Sequence, residues 1–306
     1  RQAADSVRGR IDWKYLLGLD LTDPGFDYTL LHEFRNRLLE NAAEHKLLDE
    51  LLTLLQERKL LKSRGKQRTD STHVIAAIRS LNRLELVGET LRHALNSLAV
   101  VVPEWLRAQV PADWFDRYGP PFSEWRLPMS EAKRAALIDR IGQDGFLLWE
   151  MTGQFPQPEL LRMIPAMETL RQVWVQQYYV DDGELRWRQS KNLPPSRRRI
   201  ISPHDTEARF SVRRSTKWEG YLVHVTETCD EDRPLLITNV ETTTSASLDL
   251  EWTDAIHQRL RERDLLPKVH LVDGGYVDAR ALAEGESIYG LDLIGPAKLE
   301  PSWQAR

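Results

Sequence analysis

Val269-His270-Leu271-Val272-Asp273-Gly274-Gly275 is the stretch on which the fold turns. It is a short, nearly continuous apolar run with no alternation of polar residues, stopped by two glycines. That pattern predicts a strand buried on both faces, as in a parallel sheet. Upstream, residues 251–264 read as a helix with Trp252, Ala255, Ile256 and Leu260 on one face. Before it stand strand-like runs at 221–226 and 235–240, with a weaker one at 209–212. Strands, then a helix, then a buried strand imply a parallel crossover in an α/β sheet. Asp273 closes its strand at the carboxyl end, where the loops of such sheets shape sites.

A second aspartate stands in a similar setting. Arg68-Thr69-Asp70-Ser71-Thr72-His73-Val74 is rich in β-branched residues and predicts a strand, with a further short one near Leu291 to Ile294. Residues 76–190 read as helices broken at prolines and carry Trp105, Trp114, Trp125, Trp149, Trp174 and Trp187. This is too long for a loop. The reading is a helical insertion at 76–200, ending in the basic linker 193–199. Residues 1–62 read as a helical N-terminal domain. Its stripe is Leu30, Leu31, Phe34, Leu38 and Ala42, continued by Leu47, Leu48, Leu51, Leu52 and Leu55. The remainder, 63–306, is then one α/β domain interrupted by that insertion.

Composition limits the function. With 41% hydrophobic residues the chain is globular, and a net charge of -4 excludes a wholly basic DNA coat. A single cysteine, Cys229, excludes an intramolecular disulfide and points to a reducing, cytoplasmic setting. No apolar run is long enough to predict a membrane span. The chain begins at Arg1 rather than Met and reads as a fragment. Two carboxylates on neighbouring strands can hold hard divalent cations such as Mg²⁺ and serve phosphoryl transfer. The competing reading is that Asp70 caps a helix beginning near Ser71, and Asp273 one beginning after Gly275. Three basic runs, 58–68, 186–199 and 209–217, contain no acid and suit either DNA phosphates or a solvated face. Their candidate contacts are Arg64, Lys66, Arg68, Arg197, Arg198, Arg199, Arg213, Arg214 and Lys217. The tryptophans suit a core better than base stacking. His73, His224 and His270 lie on strands and suit hydrogen-bonded structural roles.

Taken in order, several stretches resemble the DDE transposases of insertion sequences. They are His32-Glu33-Phe34-Arg35-Asn36-Arg37-Leu38-Leu39, Asp70-Ser71-Thr72-His73, Ser202-Pro203-His204-Asp205-Thr206-Glu207-Ala208-Arg209, the block 217–224, and Val272-Asp273-Gly274-Gly275-Tyr276. The resemblance covers roughly residues 10–75 and 200–296. It implies a ribonuclease H-like catalytic domain behind a helical N-terminal domain. It implies double-stranded DNA as partner, a homo-oligomer assembled on it, and two Mg²⁺ or Mn²⁺ ions held by Asp70 and Asp273. The two acids are 273 − 70 = 203 positions apart, a gap that the helical insertion accounts for. The family's third acid is a Glu on a later helix. Glu284, with Tyr276 and Arg280 upstream, imitates it too early, Glu300 fits little better, and the expectation is an acid beyond Arg306. Alternatives are a nuclease of the same fold without strand transfer and a DNA-binding remnant of a mobile element.

Overall fold

The computed structural model describes residues 2–41, 43–213 and 215–296. α1 (Gln2–Gly9) and α2 (Ile11–Leu16) precede α3 (Tyr28–Glu40), capped by the Asp27 carboxylate, which accepts the Thr29 N–H at 2.9 Å. α4 (Lys46–Glu57) sets Leu48, Leu52 and Leu55 against the apolar cluster beside the sheet. α3 differs from expectation. It buries none of its residues, and Leu30 and Phe34 of its stripe are exposed. An apolar period fixes the helix but does not supply a partner for it. Ala42 lies outside the described residues.

β1 (Lys66–Ile75) turns Gln67, Thr69 and Ser71 inward and Lys66, Arg68 and Asp70 outward. Helices follow: α5 (Arg83–Val101), α6 (Pro103–Gln109), α7 (Asp113–Tyr118), α8 (Glu131–Thr152), α9 (Pro158–Arg162) and α10 (Pro165–Gln177). Prolines open α6, α9 and α10, where the missing N–H costs no helical bond. The helices share a core that includes Leu91, Leu98, Ile141, Leu148 and Met167. Trp114 and Trp174 are buried in it, and Trp105, Trp149 and Trp187 pack on its edge. Trp125 departs from the expected core, standing 77% exposed on a single turn of 3₁₀ helix. Residues 178–187 of the insertion are not helical. β2 (Tyr178–Asp181) and β3 (Glu184–Trp187) form a hairpin, because Asp182 and Gly183 both take positive φ, the geometry of a two-residue type I′ turn.

The sheet is mixed. β4 (Arg209–Arg213), β5 (Thr216–Thr228) and β6 (Ile237–Thr244) come next, then α11 (Thr253–Glu262), β7 (Val269–Val272), α12 (Ala279–Tyr289) and β8 (Asp292–Ile294). Its order is β4-β5-β1-β7-β8, with β6 also paired to β5. β1 runs antiparallel to β5 and parallel to β7, and β7 is parallel to β8. The expected strand at 235–240 begins later, at Ile237. Leu236 instead lies in the turn, its N–H donating to Thr228 Oγ1 at 2.9 Å. α11 and α12 bury Ile256, Leu260 and Tyr289 with Val272 and Leu293 of the strands. Among the described residues no helix is long and apolar enough to cross a membrane.

Candidate active site

The pairing of β1 with β7 sets Lys66 opposite Val269 and Thr69 opposite Val272. Asp70 is the next residue of β1 and Asp273 the residue that follows β7. Side chains alternate across a strand, and Thr69 and Val272 are both buried on the core side. Asp70 therefore projects from the opposite face of β1, and Asp273 follows the last residue of β7. Both line a cleft of about 520 Å³ with Ser71, His73, Arg213 and Trp218. Neither aspartate caps a helix. Asp70 lies within β1 and its Oδ1 accepts the Ser71 N–H at 2.7 Å. Asp273 Oδ1 accepts the Gly275 N–H at 2.7 Å, closing the turn after β7. The cap of α12 is Asp278, which accepts the Ala281 N–H at 2.7 Å.

A third carboxylate approaches from below. An ideal Cβ on Gly275 would lie 2.7 Å from Asp249 Oδ2 and 2.8 Å from Asp273 Oδ1, so the two side chains crowd one glycine. Asp249 Oδ1 is buried without a hydrogen-bond partner, 3.7 Å from His224 Nδ1. His224 is fully buried, and burial pushes its imidazole below the ordinary range. Its Nδ1 lies 2.6 Å from the Tyr276 hydroxyl and its Nε2 3.1 Å from Thr243 Oγ1. Burial pushes the Tyr276 phenol well up, and the negative field of Asp249, Asp273 and Asp70 adds to this. At the rim, Arg213 donates to Ser71 Oγ at 3.0 Å and meets Asp273 Oδ2 at 3.4 Å. His73 packs on Trp218 with ring centroids 5.2 Å apart.

Asp70 and Asp273 supply hard oxygen donors on one wall of an open cleft. Among the described residues no group of three or more His, Cys, Asp or Glu side chains is arranged to hold a metal ion. Two carboxylates still fit Mg²⁺, which is usually held by one or two of them and completes its shell with water and substrate phosphate oxygens.

The basic candidates separate into engaged and free groups. Arg64 donates to the carbonyls of Tyr289 and Gly290, and Arg68 pairs with Glu227 at 2.6 Å. Lys62 of the same run pairs with Asp232 at 2.8 Å, so acids distant in sequence neutralise much of it. Lys66 is exposed on β1. Arg197, Arg198 and Arg199 make no ion pair among the described residues, and their turn packs on β4. Lys217 is exposed next to Thr216, which lines the cleft. Arg214 and Glu300 lie outside the described residues. Glu284 pairs with Arg280 at 2.7 Å and lines a different cavity, with Asp254 and Tyr289.

Sequence reading missed Asp249 and the role of Tyr276. Asp249 begins the segment Asp-Leu-Glu-Trp ahead of α11, where an aspartate reads as a helix-start residue and carries no sign of the carboxylates it meets. Tyr276 gave a signal: it follows the Asp-Gly-Gly turn directly and so must fold back under it. Comparison with protein-family models, with characterised proteins and with solved structures gives no match.

Proposed function

We propose that this chain carries the catalytic carboxylates of a metal-dependent DNA phosphoryl-transfer enzyme of the DDE transposase type, with a ribonuclease H-like sheet. The observation that carries the reading is that Asp70 and Asp273, each the residue after the paired Thr69 and Val272, line one open cleft. The sheet supports it further. Antiparallel β6, β5 and β1 continue into parallel β7 and β8, reached through helices, with Asp70 on β1 and Asp273 directly after β7. In this reading Asp70 and Asp273 would hold Mg²⁺ or Mn²⁺, which when bound would supply Lewis-acid stabilisation of the attacking and leaving oxygens. The free arginines at 197–199 supply DNA affinity without base recognition. The third acid that the reading requires is not assigned to any described residue.

The test is metal binding by the substituted chain and DNA cleavage by substituted protein that also carries the third acid. Asp70→Asn and Asp273→Asn keep side-chain size but remove a charged ligand. Each is expected to weaken Mn²⁺ binding by on the order of tenfold or more and to abolish metal-dependent cleavage, while gel-shift affinity for duplex DNA stays nearly intact. Neutralising Arg197, Arg198 and Arg199 together is expected to do the reverse. It should weaken binding to all sequences and flatten the salt dependence by up to about three units of slope. Normal Mn²⁺ binding and normal cleavage by Asp273→Asn would end the assignment.

A further inference from the structure

Two apolar faces of the molecule lie uncovered. Leu30, Leu31, Phe34 and Leu38 form a stripe along α3, a helix that buries none of its residues. At about 3.6 residues per turn, Arg35 and Arg37 fall on the two flanks of that stripe. Neither arginine makes an ion pair among the described residues. The second face is a groove of about 850 Å³ between α4 and β6. Leu47, Leu51 and Leu55 of α4 line it with Leu235, Ile237 and Val240. Leu47, Leu51, Leu235 and Ile237 stand open to solvent. Among the described strands β6 pairs with β5 alone, so no neighbouring strand covers this edge. Glu44 and Glu241 also line the groove, and among the described residues no lysine or arginine does.

The two faces match in length, polarity and charge. Leu30 to Leu38 and Leu47 to Leu55 are equal stretches of helix, each about 12 Å long. One face is an apolar stripe flanked by two bases, and the other is an apolar groove edged by two acids. α3 does not reach the groove of its own chain. The corner between α3 and α4 is closed by the Ala43 N–H on the Leu38 carbonyl at 2.8 Å and the Lys46 N–H on the Ala43 carbonyl at 3.1 Å, and it leaves the stripe in solvent. Apolar surface left open in this way marks a protein interface, and anchors at helical spacing suit a groove. We propose that α3 of one copy seats its stripe in the α4–β6 groove of a second copy, and that the exchange is reciprocal. Arg35 and Arg37 then meet the carboxylates of the groove. Each copy contributes the same pair of faces, so the contact closes as a two-fold dimer rather than a filament. The resemblance to transposases implies an oligomer assembled on DNA, whereas this surface joins two chains directly and depends neither on DNA nor on the reading of the cleft.

The oligomeric state of the full chain in DNA-free buffer tests it, read by size-exclusion chromatography with light scattering. A dimer that dissociates on dilution is expected. Leu31→Ser with Phe34→Ser removes two anchors from each helix and should weaken the dimer by about a hundredfold or more. Neither side chain is buried in the single chain, so the variant should keep the parent's circular dichroism. Arg35→Glu with Arg37→Glu should weaken the dimer by about tenfold, and Glu44→Arg in the same chain should restore part of that loss. Cross-linking identifies the faces. In a Cys229→Ser background, chains carrying Phe34→Cys are mixed with chains carrying Leu51→Cys and treated with a short bismaleimide. A cross-linked dimer is expected from the mixture, and much less from either variant alone. A monomeric parent protein overturns the proposal, including the case in which a chain carrying both substitutions links only to itself. A dimer left intact by Leu31→Ser with Phe34→Ser places the interface elsewhere and overturns it too. So does equal cross-linking by Phe34→Cys alone, which would set α3 against α3. None of these outcomes touches the metal-binding test of Asp70 and Asp273.

Discussion

Gly220 and Gly275 both sit on the strands and turns that build the cleft, and substitution at the two has different physical consequences. Gly220 on β5 has φ of 153°, and an added Cβ would stand 2.1 Å from the Val74 carbonyl oxygen and 2.6 Å from Ala76 N. Those neighbours are the backbone of β1 and of the residue after it, which cannot move without disturbing the ladder that carries Asp70. Gly220→Ala is therefore expected to cost on the order of 3 kcal/mol or more, at the upper end of overpacking effects. At Gly275 the obstructing atoms are carboxylate oxygens of Asp249 and Asp273, which can rotate away. Gly275→Ala is expected to cost about 1–2 kcal/mol in urea unfolding while weakening Mn²⁺ binding disproportionately, because it displaces the Asp273 oxygen. Equal stability losses at the two glycines would contradict this ranking. The sequence reading of Asp273-Gly274-Gly275 identified a strand end, since a short apolar run stopped by glycines is a local signal. It did not reveal Asp249, because what brings that carboxylate to Gly275 is the docking of the segment before α11, and nothing local encodes docking.

At the scale of elements, β1, β5, β7 and α11 were legible because each carries its own period or β-branched run. The β2–β3 hairpin was read as helix although its turn is Asp182-Gly183, a pair suited to positive φ at both positions. Its flanking residues, Tyr178 and Trp187, pack ring to ring and extend the helical core, so a tryptophan in a helical stretch was a poor guide to local conformation. α3 shows the complementary failure, a stripe that made a helix without burying it. The insertion's tryptophans give a direct test of which contribute to the core. Trp114 on α7 is 3% exposed and stacks edge-on with Tyr118 at 5.6 Å, whereas Trp125 touches chiefly Arg126. Trp114→Ala is expected to destabilise by about 3–5 kcal/mol, and Trp125→Ala by no more than about 0.5 kcal/mol. Urea denaturation monitored by circular dichroism separates the two. A large loss at Trp125 would mean that its 3₁₀ turn is part of the core after all.

Behind the cleft a buried hydrogen-bonded chain ties α11 to three strands of the sheet, and this shapes the response to acid. His257 of α11 meets His270 of β7 at 2.8 Å, His270 meets Thr69 of β1 at 2.7 Å, and Thr69 meets Thr226 of β5 at 2.7 Å. Burial pushes both imidazoles well below their ordinary range, and the neighbouring His257 pushes His270 lower still. The folded protein thus binds fewer protons than the unfolded chain once the pH falls below the ordinary histidine value of about 6.5. Stability must rise with pH across that window, and it is lost as pH falls through it. An imidazole that stays neutral in the fold costs about 2 kcal/mol by pH 5, so the pair together removes about 4 kcal/mol between pH 7 and 5. The effect is separable from carboxylate titration. The Glu168 carboxyl, hydrogen-bonded by Arg171, is held at about 2 from an ordinary value of 4.5, so its contribution is lost only at lower pH. Because the histidine chain spans α11 and three strands, the loss should appear as cooperative unfolding of the sheet rather than fraying. Urea melts at pH 7 and 5 measure it directly, and His270→Gln should lower stability at pH 7 yet flatten the slope between the two. Equal stability of the parent protein at both pH values would show that both imidazoles accept protons inside the fold.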